Sequence, residues 1–204
     1  AIGRLFNTGI YDPSVTVAIT GSRVKKPAYV KTIRGTSVAP LLENNLMEGE
    51  NRVISGNVLA GRKVDAESGF LGSLHSHITV IPEGNYHELF GWILPGFKKL
   101  SVSRSFASTW LAPNRKFDVD TNYHGGERAF VMTGEYEKVL PMDIYPVQLL
   151  KSILVNDIDK MEQLGIYEVA EEDLALCEFV CTSKTPVTKI IRDGLRSLRK
   201  EMEE

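Results

Sequence analysis

The spacing of apolar residues changes once along this 204-residue chain, near Pro141, and that change limits the folds open to it. Upstream, apolar residues recur at every second position in short runs broken by Gly and Pro. Downstream they recur at about 3.6 residues, the period of a helix with one buried face. Strands first and helices last make an α+β protein. At 43% hydrophobic and 25% charged residues, the composition allows a sizeable core.

The strand-forming half is clearest from Val15 to Val64. Val15-Thr16-Val17-Ala18-Ile19-Thr20 alternates as a half-buried strand does, and Gly21 with Lys25-Lys26-Pro27 supplies the turn that ends it. A second strand follows, with Tyr29, Lys31 and Ile33 on one side and Val30, Thr32 and Arg34 on the other. Gly35 breaks the pattern before Thr36 or Ser37, either of which can cap a helix. Val38, Leu41, Leu42 and Leu46 mark that helix as short and amphipathic, with Pro40 in its first turn. Arg52 to Gly61 returns as a strand in which Gly56 reads as a bulge or a point of close backbone approach. Arg62 to Gly69 is polar and reads as a loop.

Leu74 to Ile81 reads as another strand, with His75, His77 and Thr79 on one face. From Tyr86 the composition shifts to aromatics, Gly and Pro, and Leu89-Phe90-Gly91-Trp92-Ile93-Leu94-Pro95-Gly96-Phe97 is too interrupted for a helix and too bulky for a plain loop. So much apolar area is expected to pack or to bind a partner. Leu100–Leu111, Phe117–Tyr123 and Glu127–Gly134 alternate as further strands, with Tyr136–Leu140 as an extension past Gly134. Beyond Pro141, the stripe Leu150, Ile153, Leu154, Ile158, Met161 and Leu164 predicts one long helix, opened near Pro146 and stopped at Gly165. A second helix is expected from Glu171 to about Cys181. A third starts with Thr185 as cap and Pro186 at its first position, and faces Val187, Ile190, Ile191, Leu195, Leu198 and Met202 inward. The expected division is a lead-in at 1–14, a β-rich module at 15–84, a mixed β region at 85–140 and a helical domain at 141–204.

Several function classes are excluded. A net charge of -2 gives no basic footprint for nucleic acid, and no apolar run approaches the ~20 residues of a membrane-spanning helix. Phosphate-cradling glycine motifs and the G-x-S-x-G nucleophile turn are absent, so no catalytic residue is assigned. Cys177 and Cys181 lie one helical turn apart and could offer two thiolates to a metal, but a stable site needs two more ligands and no other cysteine exists. His75 and His77, with His87 within reach, form a weaker candidate for zinc, without HExxH spacing. His124 beside two glycines reads as a turn residue. The pair of cysteines without a signal peptide fits a reducing compartment. The start at Ala1-Ile2-Gly3 reads as a fragment of a longer protein.

The segments ITGSRVKKPAYVKTIRGTSVAPLLE and NRVISGNVLAG resemble the soluble-ligand-binding β-grasp module in the A subunit of the bacterial Na⁺-translocating NADH:quinone oxidoreductase. The resemblance continues through GERAFVMTGEYEKVLPMDIYPVQLLKSIL, NDIDKMEQLGIYEV and DLALCEFVCTSKTPVTKIIRDGL, covering essentially the whole chain as the C-terminal half of that subunit. Leu174 to Thr182 is similar to a ferredoxin ligand loop whose other cysteines are missing, a loop seen in the C subunit of the related Rnf electron-transport complex. The resemblance therefore implies a β-grasp module followed by a helical domain of ferredoxin type without its cluster, which needs four ligands. It further implies a subunit with no cofactor of its own, peripheral on the cytoplasmic face of the inner membrane. Flavin, iron–sulfur and NADH sites would lie on partner subunits, with quinone bound in the full-length protein. The alternative is a stand-alone β-grasp module for a small ligand or a protein. Gly35, Gly56, Gly61 and Trp92 are the candidate ligand or partner surface in either case.

Overall fold

A computed structural model describes residues 2–91 and 93–203; Trp92 lies outside the described residues, so the expectation placed on it has no structural counterpart. The chain divides into two compact units, Ala1–Asn122 and Tyr123–Glu204. The architecture is α+β, with one five-stranded sheet and a helical C-terminal part.

The first unit opens with α1 (Ile2–Thr8), which buries no residue and stands where turn chemistry predicts no element. Then come β1 (Ser14–Thr20), β2 (Ala28–Ile33), the single turn α2 (Ala39–Leu42), β3 (Asn51–Ser55), β4 (Arg62–Val64), β5 (His77–Pro82) and α3 (Ser108–Leu111). The sheet order is β2-β1-β5-β3-β4. Hairpins β1–β2 and β3–β4 flank the central parallel pair β1–β5, which is the β-grasp arrangement. Alternation sends Val17, Ile19, Val53, Ile78 and Val80 to one face, where Val38, Leu42 and Leu71 cover them. Val30 and Thr32 share that face, and Tyr29, Lys31 and Ile33 turn to solvent as the sequence pattern predicts. Gly21, at φ 114°, ends β1 against the backbone of β5, where an added Cβ would lie 2.0 Å from the Val80 carbonyl oxygen.

Three details differ from the sequence reading. The cap of α2 is Val38, with no side-chain bond from Thr36 or Ser37; those residues extend instead along the 69–71 segment, where Leu71 N–H donates to Thr36 O. Arg62–Val64 is an edge strand rather than a loop, because Asn57 Oδ1 accepts from the amides of Leu59 and Ala60 at 2.8 and 2.6 Å and folds the chain back after β3. Strand β5 starts at His77, leaving His75 in the preceding turn.

Residues 83–140 hold the largest departure, because none of the strands expected there forms among the described residues. The alternating serines explain one case. Ser105 N–H donates to Ser101 Oγ at 3.0 Å and Ser103 Oγ meets Ser105 Oγ at 2.7 Å, so side chains close a local turn where strand pairing would need the backbone free. Asp120 does the same at Asn122 N, and Arg128 N–H donates to Ser183 O instead of to a strand partner.

The second unit contains α4 (Pro146–Leu154), α5 (Ile158–Gln163), α6 (Ala175–Val180) and α7 (Val187–Glu203), with 3-10 turns at Ile166–Glu168 and Glu171–Leu174. The long helix expected across residues 146–164 is broken because Asn156 adopts φ 55° and Asp157 caps a new start, accepting from Lys160 N–H at 3.1 Å. Gly165, at φ 85°, supplies the expected stop. The predicted second helix is likewise split, as 3-10 turn and α6. Its Glu178 caps α7, accepting from both the amide and the hydroxyl of Thr188 at 2.7 and 2.6 Å, a role expected of Thr185. Leu149, Leu150, Met161, Ile166, Leu174, Val187 and Ile191 make the core. Leu154 and Met202, expected inside, are exposed.

Candidate ligand and partner surface

The end of β2, the end of β3 and the start of β5 lie at one end of the sheet, as the register Ser14↔Ile33, Ala18↔His77 and Ser55↔Ile78 requires. The loops after β2 and β3 and the turn before β5 therefore gather there, and they carry Gly35, Gly56–Gly61 and His75. Gly56, at φ 99°, is a close approach: an added Cβ would stand 3.2 Å from Gly61 Cα and 3.4 Å from the His75 ring. At Gly61 the same atom would lie 2.3 Å from Asn57 O. Gly35 sits farther out in open space, tied in through its neighbour, since Arg34 Nη1 donates to Ser73 O at 3.0 Å.

A serine and a histidine meet beneath these loops. Ser55 Oγ lies 2.6 Å from His75 Nδ1 and accepts from Gly72 N–H at 2.9 Å. Ser55 is buried at 2% exposure, and its bonds to His75 and Gly72 fasten the 70–75 turn to β3. Above it Val58, Leu59, Phe70 and Leu74 are exposed, Leu74 at 90%. Backbone loops rimmed by apolar side chains suit the binding of a ligand or a protein.

The opposite end of the sheet is closed. Arg52 forks onto Glu83, Nε to Oε2 at 2.8 Å and Nη2 to Oε1 at 2.5 Å, while Thr121 Oγ1 donates to Oε1 at 2.7 Å and Lys63 stands 3.5 Å from Oε2. The Arg52 bonds, helped by Thr121 and the charge of Lys63 and opposed by burial, hold the Glu83 carboxyl at about 2. Nothing in the sequence spacing marks this cluster or the Ser55–His75 pair, because their members are twenty to thirty-eight positions apart.

The metal-ligand candidates are dispersed. His75 bonds Ser55, His77 begins β5 beside Ala18, and His87 is exposed in the following loop. His124 adopts φ 44° in a bend. No group of three or more His, Cys, Asp or Glu among the described residues could hold a metal. Cys177 lies in α6 and Cys181 just after it, both buried and unbridged. Burial pushes the Cys177 thiol up to about 11. At Cys181 burial acts the same way, but the Tyr136 hydroxyl, donating at 3.0 Å, and the backbone amide of Thr185 outweigh it and lower the thiol. Burial and this thiol in turn push the Tyr136 phenol up. No spacing of residue types signals the tyrosine contact, which spans 45 positions.

Among the described residues, no helix is long and apolar enough to cross a membrane. Residues 16–66 match the family described as NQRA C-terminal domain. The chain is 44% identical over 201 residues to the A subunit of the Na(+)-translocating NADH-quinone reductase of Serratia proteamaculans (strain 568), an overlap of 98% of the chain and 44% of that protein. The corresponding proteins of Klebsiella pneumoniae (strain 342) and Photorhabdus laumondii are 43% and 40% identical over the same share of the chain, 45% of each. The chain thus spans a little under half the length of these curated relatives, and over 98% of its own length it is similar to the A subunit of the Na(+)-translocating NADH-quinone reductase.

Proposed function

We propose that the chain works as part of the A subunit in a membrane-bound reductase that couples NADH oxidation and quinone reduction to sodium export. Identity of 44% across 98% of the chain carries this reading. In it, the chain lies on the cytoplasmic face, holds no cofactor, scaffolds the neighbouring subunits and helps shape quinone access. The sheet end built on Gly35, Gly56 and Gly61, with Trp92, is the proposed partner surface; the exposed Val58, Leu59 and Leu74 beside it support that assignment. Electron transfer from NADH needs a hydride acceptor, which dedicated cofactor sites supply.

The test uses the tagged full-length parent, extracted from its host's membranes in mild detergent. Co-elution with flavin-containing membrane subunits is expected. A parent that elutes alone and binds a soluble metabolite overturns the proposal and favours the second reading, a free-standing binding module, for which the same exposed sheet end speaks. The purified chain, mixed with NADH and a soluble quinone, is expected to show no turnover above a heat-treated control. Turnover, or stoichiometric iron or zinc lost in a Cys177→Ala variant, would refute its cofactor-free role.

A further inference from the structure

Residues 88–117 form a knot tied by their own groups. Lys99 pairs with Glu88 and donates to Gly91 O at 3.1 Å, Ser108 Oγ donates to Lys99 O at 2.7 Å, Arg115 Nη1 donates to Phe97 O at 3.0 Å, and Gly96 packs on the Phe106 ring. The knot leaves its apolar residues outside: Leu89, Phe90, Ile93, Phe97 and Leu111 are exposed, and Trp110 is exposed at 72%. Leu100, Arg104, Trp110, Pro113 and Phe117 line a cleft of about 350 Å³ on it. Apart from Glu88, which is paired with Lys99, charge on the same stretch has one sign. From Leu89 to Phe117 there is no Asp or Glu, while Lys98, Lys99, Arg104, Arg115 and Lys116 are all basic, a local excess hidden within the overall net charge of -2. Lys98, Arg104 and Lys116 are exposed.

From this we infer that the knot docks on an anionic phospholipid surface, with Trp110, Leu111 and the exposed phenylalanines entering the headgroup boundary and Lys98, Arg104 and Lys116 meeting lipid phosphates. Exposed aromatic and aliphatic side chains among lysines and arginines, with the single acid Glu88 already paired to Lys99, are the composition of an interfacial membrane contact. A protein partner fits less well, since protein interfaces are poor in lysine and fix their register with charges of both signs. The inference goes beyond the complex membership proposed above and does not depend on it.

Flotation of the purified chain with protein-free vesicles tests it, using phosphatidylcholine alone and phosphatidylcholine with phosphatidylglycerol. Binding is expected only to the anionic vesicles and should fall several-fold as salt is raised. Combined Lys98→Glu, Arg104→Glu and Lys116→Glu should weaken it by more than about tenfold, and Trp110→Ala with Leu111→Ala by about fivefold. Far-UV circular dichroism confirms that the variants are folded, as their exposed positions require. Equal binding to neutral vesicles, no binding to anionic ones, or a folded charge-reversed variant that binds undiminished would overturn the inference. So would a chain that associates only with detergent-extracted membrane protein and never with lipid.

Discussion

The sheet, residues 14–82, and the segment after it, residues 83–122, belong to one compact unit and are both well supplied with large apolar side chains, yet they treat them oppositely. In the sheet Val17, Ile19, Val53, Ile78 and Val80 are buried, each on the inward side of an alternating strand. In the segment Leu89, Phe90, Ile93, Phe97 and Trp110 stay outside. Hydrophobicity alone does not bury a side chain. Burial follows when backbone register points a row of them the same way at a surface that can be covered, and the segment has turns in place of register.

Four substitutions should break or sharpen that contrast. Gly21→Ala sets a Cβ against the Val80 carbonyl at φ 114°, and is expected to lower stability by more than about 4 kcal/mol or to abolish soluble expression, as seen by urea unfolding. Next comes Ile78→Ala, which empties a fully buried site and should cost about 2–5 kcal/mol in the same titration. Arg52→Ala should cost about 1–2 kcal/mol near neutral pH. It should also change the acid limb: the Glu83 carboxyl is held at about 2 in the fold against an ordinary 4.5, so its contribution is complete above about 4.5 and is lost as pH falls toward 2. Without Arg52 that part of the loss should vanish from melts recorded across this range. Leu89→Ser, on the exposed side of the comparison, should change stability by less than about 0.5 kcal/mol. A cost near that of Ile78→Ala would mean that the segment has a core of its own and that the contrast is false.

The legible parts of this fold are those where side-chain period and backbone agree. Val15–Thr20 and the stripe of Val187, Ile190, Ile191 and Leu198 are read correctly from spacing alone, since burial enforces both. Reading fails where polar side chains capture the backbone locally. Ser101 and Ser105 spoil an alternating run, Asn57 makes a hairpin of an expected loop, and Asp157 restarts a helix that periodicity carries straight through. At the candidate surface, the glycines are visible in sequence as places where a side chain is unwelcome. Their neighbours are not: His75 reaches Ser55 across twenty positions, and that pairing depends on strand order, which period does not encode.

The central pairing of β1 with β5 has a kinetic consequence. Thr20 Oγ1 donates to Ile78 O at 3.2 Å across 58 positions, and both hairpins attach to this pair. A nascent chain can form β1–β2 early, but that two-stranded ribbon has little to bury its inner face against until β5 leaves the ribosome. Closing so long a loop makes the last strand's arrival the slow, committing step of this module. Truncating Ile78 or Val80 should therefore slow folding, because their contacts form in the committing step, and a ribosome stalled before His77 should hold an open, protease-sensitive hairpin.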